Sequence, residues 1–144
     1  LNEIYSGQIW RLITPIFLHF MVLHILFNMM WLWDLGGAIE HNQSAMFLLF
    51  FVLSIGMLSN IIQYLSHGPA FGGMSGVVYG LLGYIWMRSR KPQSGYRLHS
   101  TIVVFMLVWL GLGFTGILGP IANAAHLSGL ILGIAYGLGW NNYE

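Results

Sequence analysis

The sequence contains no cysteine, which excludes disulfides, thiol catalysis and cysteine-held metals. Charge is nearly as scarce: five Lys or Arg and four Asp or Glu among 144 residues, 6% in all. A soluble domain carries about 25% charged residues. So few charges cannot coat a water-soluble particle of 16.2 kDa. An ordinary cytosolic domain, a disordered chain and a nucleic-acid binder are excluded. The chain opens without Met, without a basic n-region and without a small-residue cleavage site. It therefore reads as a fragment, and no signal peptide is expected. What the sequence has in abundance is apolar: 57% hydrophobic and 15% aromatic, with a mean hydropathy of +0.73. An integral membrane protein in a lipid bilayer follows. A β-barrel would alternate over strands of about 10 residues, whereas these apolar residues run on continuously. The expected fold is an all-α membrane bundle.

Apolar runs cover roughly 21–39, 44–65, 75–87, 100–118 and 123–140. Turn signals separate them at 40–43, at His67-Gly68-Pro69, at 88–98 and at Gly119-Pro120. The runs predict five transmembrane helices in one domain, with Ser44 and Asn123 as N-caps. Four of the five cations, Arg88, Arg90, Lys91 and Arg97, share the third loop. The positive-inside rule places that loop in the cytoplasm, together with the Glu40 loop and the C-terminus. The first, third and fifth runs then all start from the outer side.

Length adds a depth estimate. From Ser75 to Arg88 is 13 residues. That is about 20 Å of helix, against a hydrocarbon core of about 30 Å. Ser75 is expected roughly 10 Å below the outer edge, with the glycine-rich loop before it dipping into the membrane. His126, 14 residues before Trp140, comes out at the same depth. His24 lies slightly shallower and Asn28 one turn deeper. Four polar side chains on three co-directional helices thus converge on one layer, and an ionisable residue there is a functional hypothesis by default.

Their chemistry is complementary. Ser75 sits in Gly72-Gly73-Met74-Ser75-Gly76 at a helix start, where free N–H groups and the helix dipole favour an anion. His126 can accept a serine proton and return it to a leaving amine. His24 and Asn28, four apart, share a helical face and can both donate to an oxyanion. Together these are the components of acyl transfer. Asp34, ten residues past His24, lies about 15 Å deeper, so no carboxylate completes a triad and a Ser–His dyad is expected. Tyr79 lies one turn after Ser75, placed to hold the imidazole. Gly76-x-x-x-Gly80 in the third run and Gly129, Gly133 and Gly137 in the fifth allow close packing that would bring His126 to Ser75.

Each feature alone has an ordinary reading. A membrane serine bonds a carbonyl one turn back, and a His/Asn pair can join helices. Trp10, Trp31, Trp33 and Trp140 read as interface or core aromatics. His19 and His24 lack a carboxylate in their layer and a His-Glu-x-x-His frame, so no metal is expected. The second and fourth runs bear few polar groups and are assigned to packing, with gating near Trp109 and Phe114. A small channel or transporter, or an inactive helix-binding relative, would share parts of the pattern. The shared depth of the four groups favours catalysis.

At these residues the sequence resembles the rhomboid family of intramembrane serine proteases in its bacterial type. The resemblance spans nearly the whole chain. It is carried by Trp10-Arg11, His24-Ile-Leu-Phe-Asn28, Gly36-Gly37-Ala38-Ile39-Glu40, Gly68-Pro69, Gly73-Met-Ser75-Gly76 and Ala125-His126-x-x-Gly129. It implies Ser75 as nucleophile, His126 as general base, and His24, Asn28 and the Ser75 amide as oxyanion hole. Tyr79 matches the tyrosine stacked on the catalytic histidine. The implied substrates are single-span membrane proteins, cut near the outer end of their helix after a small residue, with helix-weakening residues beyond. No cofactor is implied, and the setting is the bacterial inner membrane. The family core has six helices, of which five are visible; the first would precede the Trp10-Arg11 loop, with a cytoplasmic N-terminus.

Overall fold

In a computed structural model, residues 2–139 are described. Among them every regular element is helical. A short α1 (Asn2–Tyr5) leads to two 3-10 turns, Ile9–Leu12 and Thr14–Phe17. Then come α2 (Val22–Trp31), a π turn over Leu32–Gly36, and α3 (Gly37–Asn42). The long α4 (Ala45–His67) follows, then α5 (Ser75–Ser89), α6 (Ser100–Phe114) and α7 (Asn123–Gly139).

Among the described residues, two segments are long and apolar enough to cross a membrane: Val22–Asn42, with 21 residues, and α4, with 23. The others are shorter. At 15 residues, α5 is about 22 Å long, less than the hydrocarbon thickness. It is the central helix, buried on every side from Gly76 through Ile85. Glycine makes its contact with α7 possible. A Cβ on Gly129 would strike the Gly76 carbonyl, and one on Gly133 the Gly80 carbonyl. One on Gly137 would come within 2.8 Å of Met87 Cβ and of the Tyr84 carbonyl. The two backbones therefore touch along the expected stripe, burying apolar area and gaining dispersion contacts at once.

Local chemistry sets the ends. Ser44 caps α4 as expected, its Oγ accepting from Phe47 N–H at 3.1 Å. Gly68, at φ +80°, closes the same helix with its N–H on the Tyr64 carbonyl. Other boundaries differ from those read in the sequence. Asn123 is not a cap: it is the first residue of α7, and its Nδ2 donates back to the Gly113 carbonyl at 2.8 Å. The fourth run stops at Phe114 rather than at 118, because Thr115 Oγ1 bonds the Leu112 carbonyl and Gly116 turns at φ +76°. Apolar Ile117 and Leu118 thus lie in a loop, where hydropathy does not mark a helix end. Arg88 belongs to α5, not to the basic loop. It is 2% exposed, with its guanidinium 5.8 Å from the ring centre of Tyr96. Trp140, the expected end of the fifth run, lies outside the described residues.

Candidate active site

Ser75 is the first residue of α5. Gly73, at φ +116°, turns the chain into it, a conformation that favours glycine. The first intrahelical bond runs from Val78 N–H to the Met74 carbonyl at 3.0 Å, which leaves the preceding amides at this end outside the helical ladder. His126 occupies the first turn of α7, its N–H on the Ala122 carbonyl at 3.1 Å. The glycine stripe seats that turn beside the start of α5. His126 Nε2 and Ser75 Oγ then share a hydrogen bond of 2.6 Å. With the imidazole proton on Nδ1, the hydroxyl donates and Nε2 accepts.

Tyr79 packs its ring on His126, with centroids 4.9 Å apart and planes at 36°. Its hydroxyl donates to the Met106 carbonyl on α6 at 2.9 Å. One ring is therefore tied to α6 at its tip while its face holds the imidazole. His126 is buried, 7% exposed, whereas Ser75 is partly exposed.

His24, in the first turns of α2, lies against the serine's approach. A Cβ on Gly73 would meet its Cε1 at 2.5 Å and its Nε2 at 2.7 Å. Its ring also meets His19, at a centroid distance of 5.0 Å. Asn28, one turn on, is 4% exposed, and its Nδ2 has no hydrogen-bond partner among the described residues. Such an orphaned donor is costly unless something accepts from it. Ser75, His126, Tyr79 and His24 are thus brought together, with Asn28 buried on the same face of α2 as His24. No group of three metal-ligating side chains forms among the described residues.

Three site-supporting residues escaped the sequence reading, which assigned the second run to packing. Gln63, 4% exposed, accepts from Ala125 N–H at 3.0 Å, next to His126. Ser59 stands where a Cβ on Gly76 would come within 2.9 Å of its Oγ. Asn60 Nδ2 donates to the Leu12 carbonyl at 2.9 Å. The available signal was their spacing: Ser59 and Gln63 are four apart, hence on one face of an otherwise apolar helix.

Comparison with known proteins fits this arrangement. The family model of the rhomboid domain matches residues 6–141. The chain is 45% identical over 136 residues to Rhomboid protease GlpG of Salmonella newport (strain SL254), and equally to those of Salmonella heidelberg (strain SL476) and Salmonella typhi. Each match covers 93% of this chain and 49% of the relative. The chain thus spans about half the length of the curated relatives it matches. Its apolar helices and these kinships make it a bacterial integral membrane protein. A match that starts before Trp10 and runs the length of α7, with relatives nearly half identical, carries one conclusion: the chain belongs to the rhomboid family.

Proposed function

We propose that the protein is an intramembrane serine endopeptidase that cleaves single-span membrane proteins near the outer end of their transmembrane helix, through a Ser–His dyad. Residues 1–144 would supply the catalytic core, with five spans of the six-helix bundle. The 2.6 Å contact between His126 Nε2 and Ser75 Oγ carries the reading. The match to proteins named rhomboid protease supports it. In this account the basic loop and the C-terminus are cytoplasmic, and the membrane is the inner membrane.

The reaction follows from the groups present. A substrate helix unwinds locally and presents its scissile carbonyl through a lateral opening, with Trp109 and Phe114 near the gate. Ser75 Oγ attacks the carbonyl carbon while Nε2 of His126 takes the hydroxyl proton. The C=O electrons move onto oxygen, where His24, Asn28 and the Ser75 amide donate to it; one such donor is typically worth about 3 kcal/mol of barrier. The unpartnered Nδ2 of Asn28 suits that task. His126 then gives its proton to the departing amine as the C–N bond breaks. Water attacks the acyl-enzyme carbonyl while His126 takes its proton. As the ester C–O bond breaks, His126 returns that proton to Ser75 Oγ, which releases the acid product and restores the dyad. Tyr79 keeps the imidazole aligned through both half-reactions.

Full-length protein in lipid vesicles, incubated with single-span substrates, tests this. Mass spectrometry of the fragments is expected to place the cut near the outer end of the substrate helix, and Ser75→Ala is expected to abolish it. A cut that persists in Ser75→Ala would overturn the proposal.

A further inference from the structure

We propose that Asp34 docks a basic side chain on the cytoplasmic half of the substrate helix, and so helps select which helices are cut. The inference rests on the protease reading above and adds a specificity determinant far from the reacting atoms.

The π turn over Leu32–Gly36 carries Asp34 on a segment that is otherwise apolar. Met30, Trp31, Trp33, Asp34 and Ile102 line an open groove of about 380 Å³ between this segment and α6. Trp31 reaches Phe105 of α6 across it, at a ring-centroid distance of 6.4 Å. The α2 side is largely uncovered, with Leu26, Phe27, Met29 and Met30 exposed. Asp34 is exposed as well, and no cation among the described residues pairs with it. A carboxylate on an apolar membrane face is costly unless water or an opposite charge meets it. Apolar walls with one carboxylate suit an apolar helix bearing one ammonium or guanidinium.

A single-span substrate cut at its outer end supplies such a group. Its cytoplasmic flank is enriched in Lys and Arg by the positive-inside rule. Along the helical segment Val22–Asn42, Asp34 lies ten residues beyond His24. That puts it about 15 Å below the oxyanion donors. A substrate helix descending from the site would present its residue about 10 after the cut at that depth, or about 14 if a Lys stem reaches back.

The test uses the full-length protein in phosphatidylcholine vesicles, which offer no anionic lipid. Substrates differ only in a Lys or a Glu, moved in steps from residue 4 to residue 20 after the cut. The wild type is expected to favour Lys over Glu about fivefold in kcat/KM, mainly through KM, and only around residues 10–14. In Asp34→Asn the ratio is expected to fall to about 1, and in Asp34→Lys to favour Glu. Fluorophosphonate labelling counts folded active sites, so each rate is read per competent enzyme. A Lys-to-Glu ratio in the wild type that does not depend on position, or one unchanged in Asp34→Asn, overturns the inference. Both outcomes come with Ser75-dependent cleavage. Loss of Ser75 dependence would instead strike the protease reading, so the two failures are distinguishable.

Discussion

Asn60, in the buried middle of α4, donates through Nδ2 to the backbone carbonyl of Leu12 at 2.9 Å. Three residues later the Pro15 carbonyl accepts from Gly73 N–H, also at 2.9 Å. The segment from Leu12 to Pro15 is thereby pinned to α4 on one side and to the arm carrying Ser75 on the other. Ile16 seals it, 1% exposed and packed at Gly56. Asn60→Leu leaves the Leu12 carbonyl without its donor, at a cost of about 1–3 kcal/mol. Denaturation in mild detergent is expected to show that loss, and turnover is expected to fall with it. Unchanged stability would mean that the loop holds without this bond.

The turn into Ser75 gives a second prediction. Gly73 has φ +116°, and a Cβ there would fall 2.5 Å from the His24 ring. Gly73→Ala is expected to displace His24 from the oxyanion position and lower kcat by about 10²-fold or more, the scale of one lost donor. KM should move much less. Wild-type kcat in this variant would remove His24 from its assigned role.

Two glycines in the bundle should respond oppositely to the same change. Gly133 faces the Gly80 carbonyl, with no room for a methyl, whereas Gly111 has nothing within 4 Å of an added Cβ. Gly133→Ala is expected to destabilise by about 1–3 kcal/mol through overpacking. Gly111→Ala is expected to be neutral or to stabilise by up to about 1 kcal/mol through helix propensity. Unfolding of both variants under identical conditions compares them directly.

Tyr79 separates stacking from anchoring. Tyr79→Phe keeps the ring on His126 and loses the bond to the Met106 carbonyl, at about 1 kcal/mol. Tyr79→Ala also removes the ring and leaves a cavity worth about 3–5 kcal/mol. Activity is expected to survive largely in the first and to collapse in the second, when rates are scaled to folded protein. Equal losses would show that the hydroxyl, not the ring, orients the histidine.

Much of this site was legible in the sequence because membrane helices tie position along the chain to depth. Counting residues led to the expectation that Ser75, His126, His24 and Asn28 share a layer, and the structure brings Ser75 to His126 and His24 to the turn before Ser75; the glycine periodicity indicated that α5 and α7 touch. The roles of Asn60 and Gln63 were hidden because their partners are backbone groups of Leu12 and Ala125, 48 and 62 positions away. No local pattern reports such a bond. Arg88 misled for a related reason: charge argued for a loop, but Tyr96 folds over it and lets the helix continue. The end of α6 was missed because apolar residues continue past Gly116, where backbone conformation and not hydropathy stops the helix.

The central claim is that Ser75 is a nucleophile because His126 touches it. The most direct measurement is the rate of fluorophosphonate labelling of full-length protein in membranes, with the modified residue identified by mass spectrometry. The account predicts a single adduct on Ser75, absent in Ser75→Ala and formed at least about 10²-fold more slowly in His126→Ala. Labelling elsewhere, or at an undiminished rate without the imidazole, would contradict it.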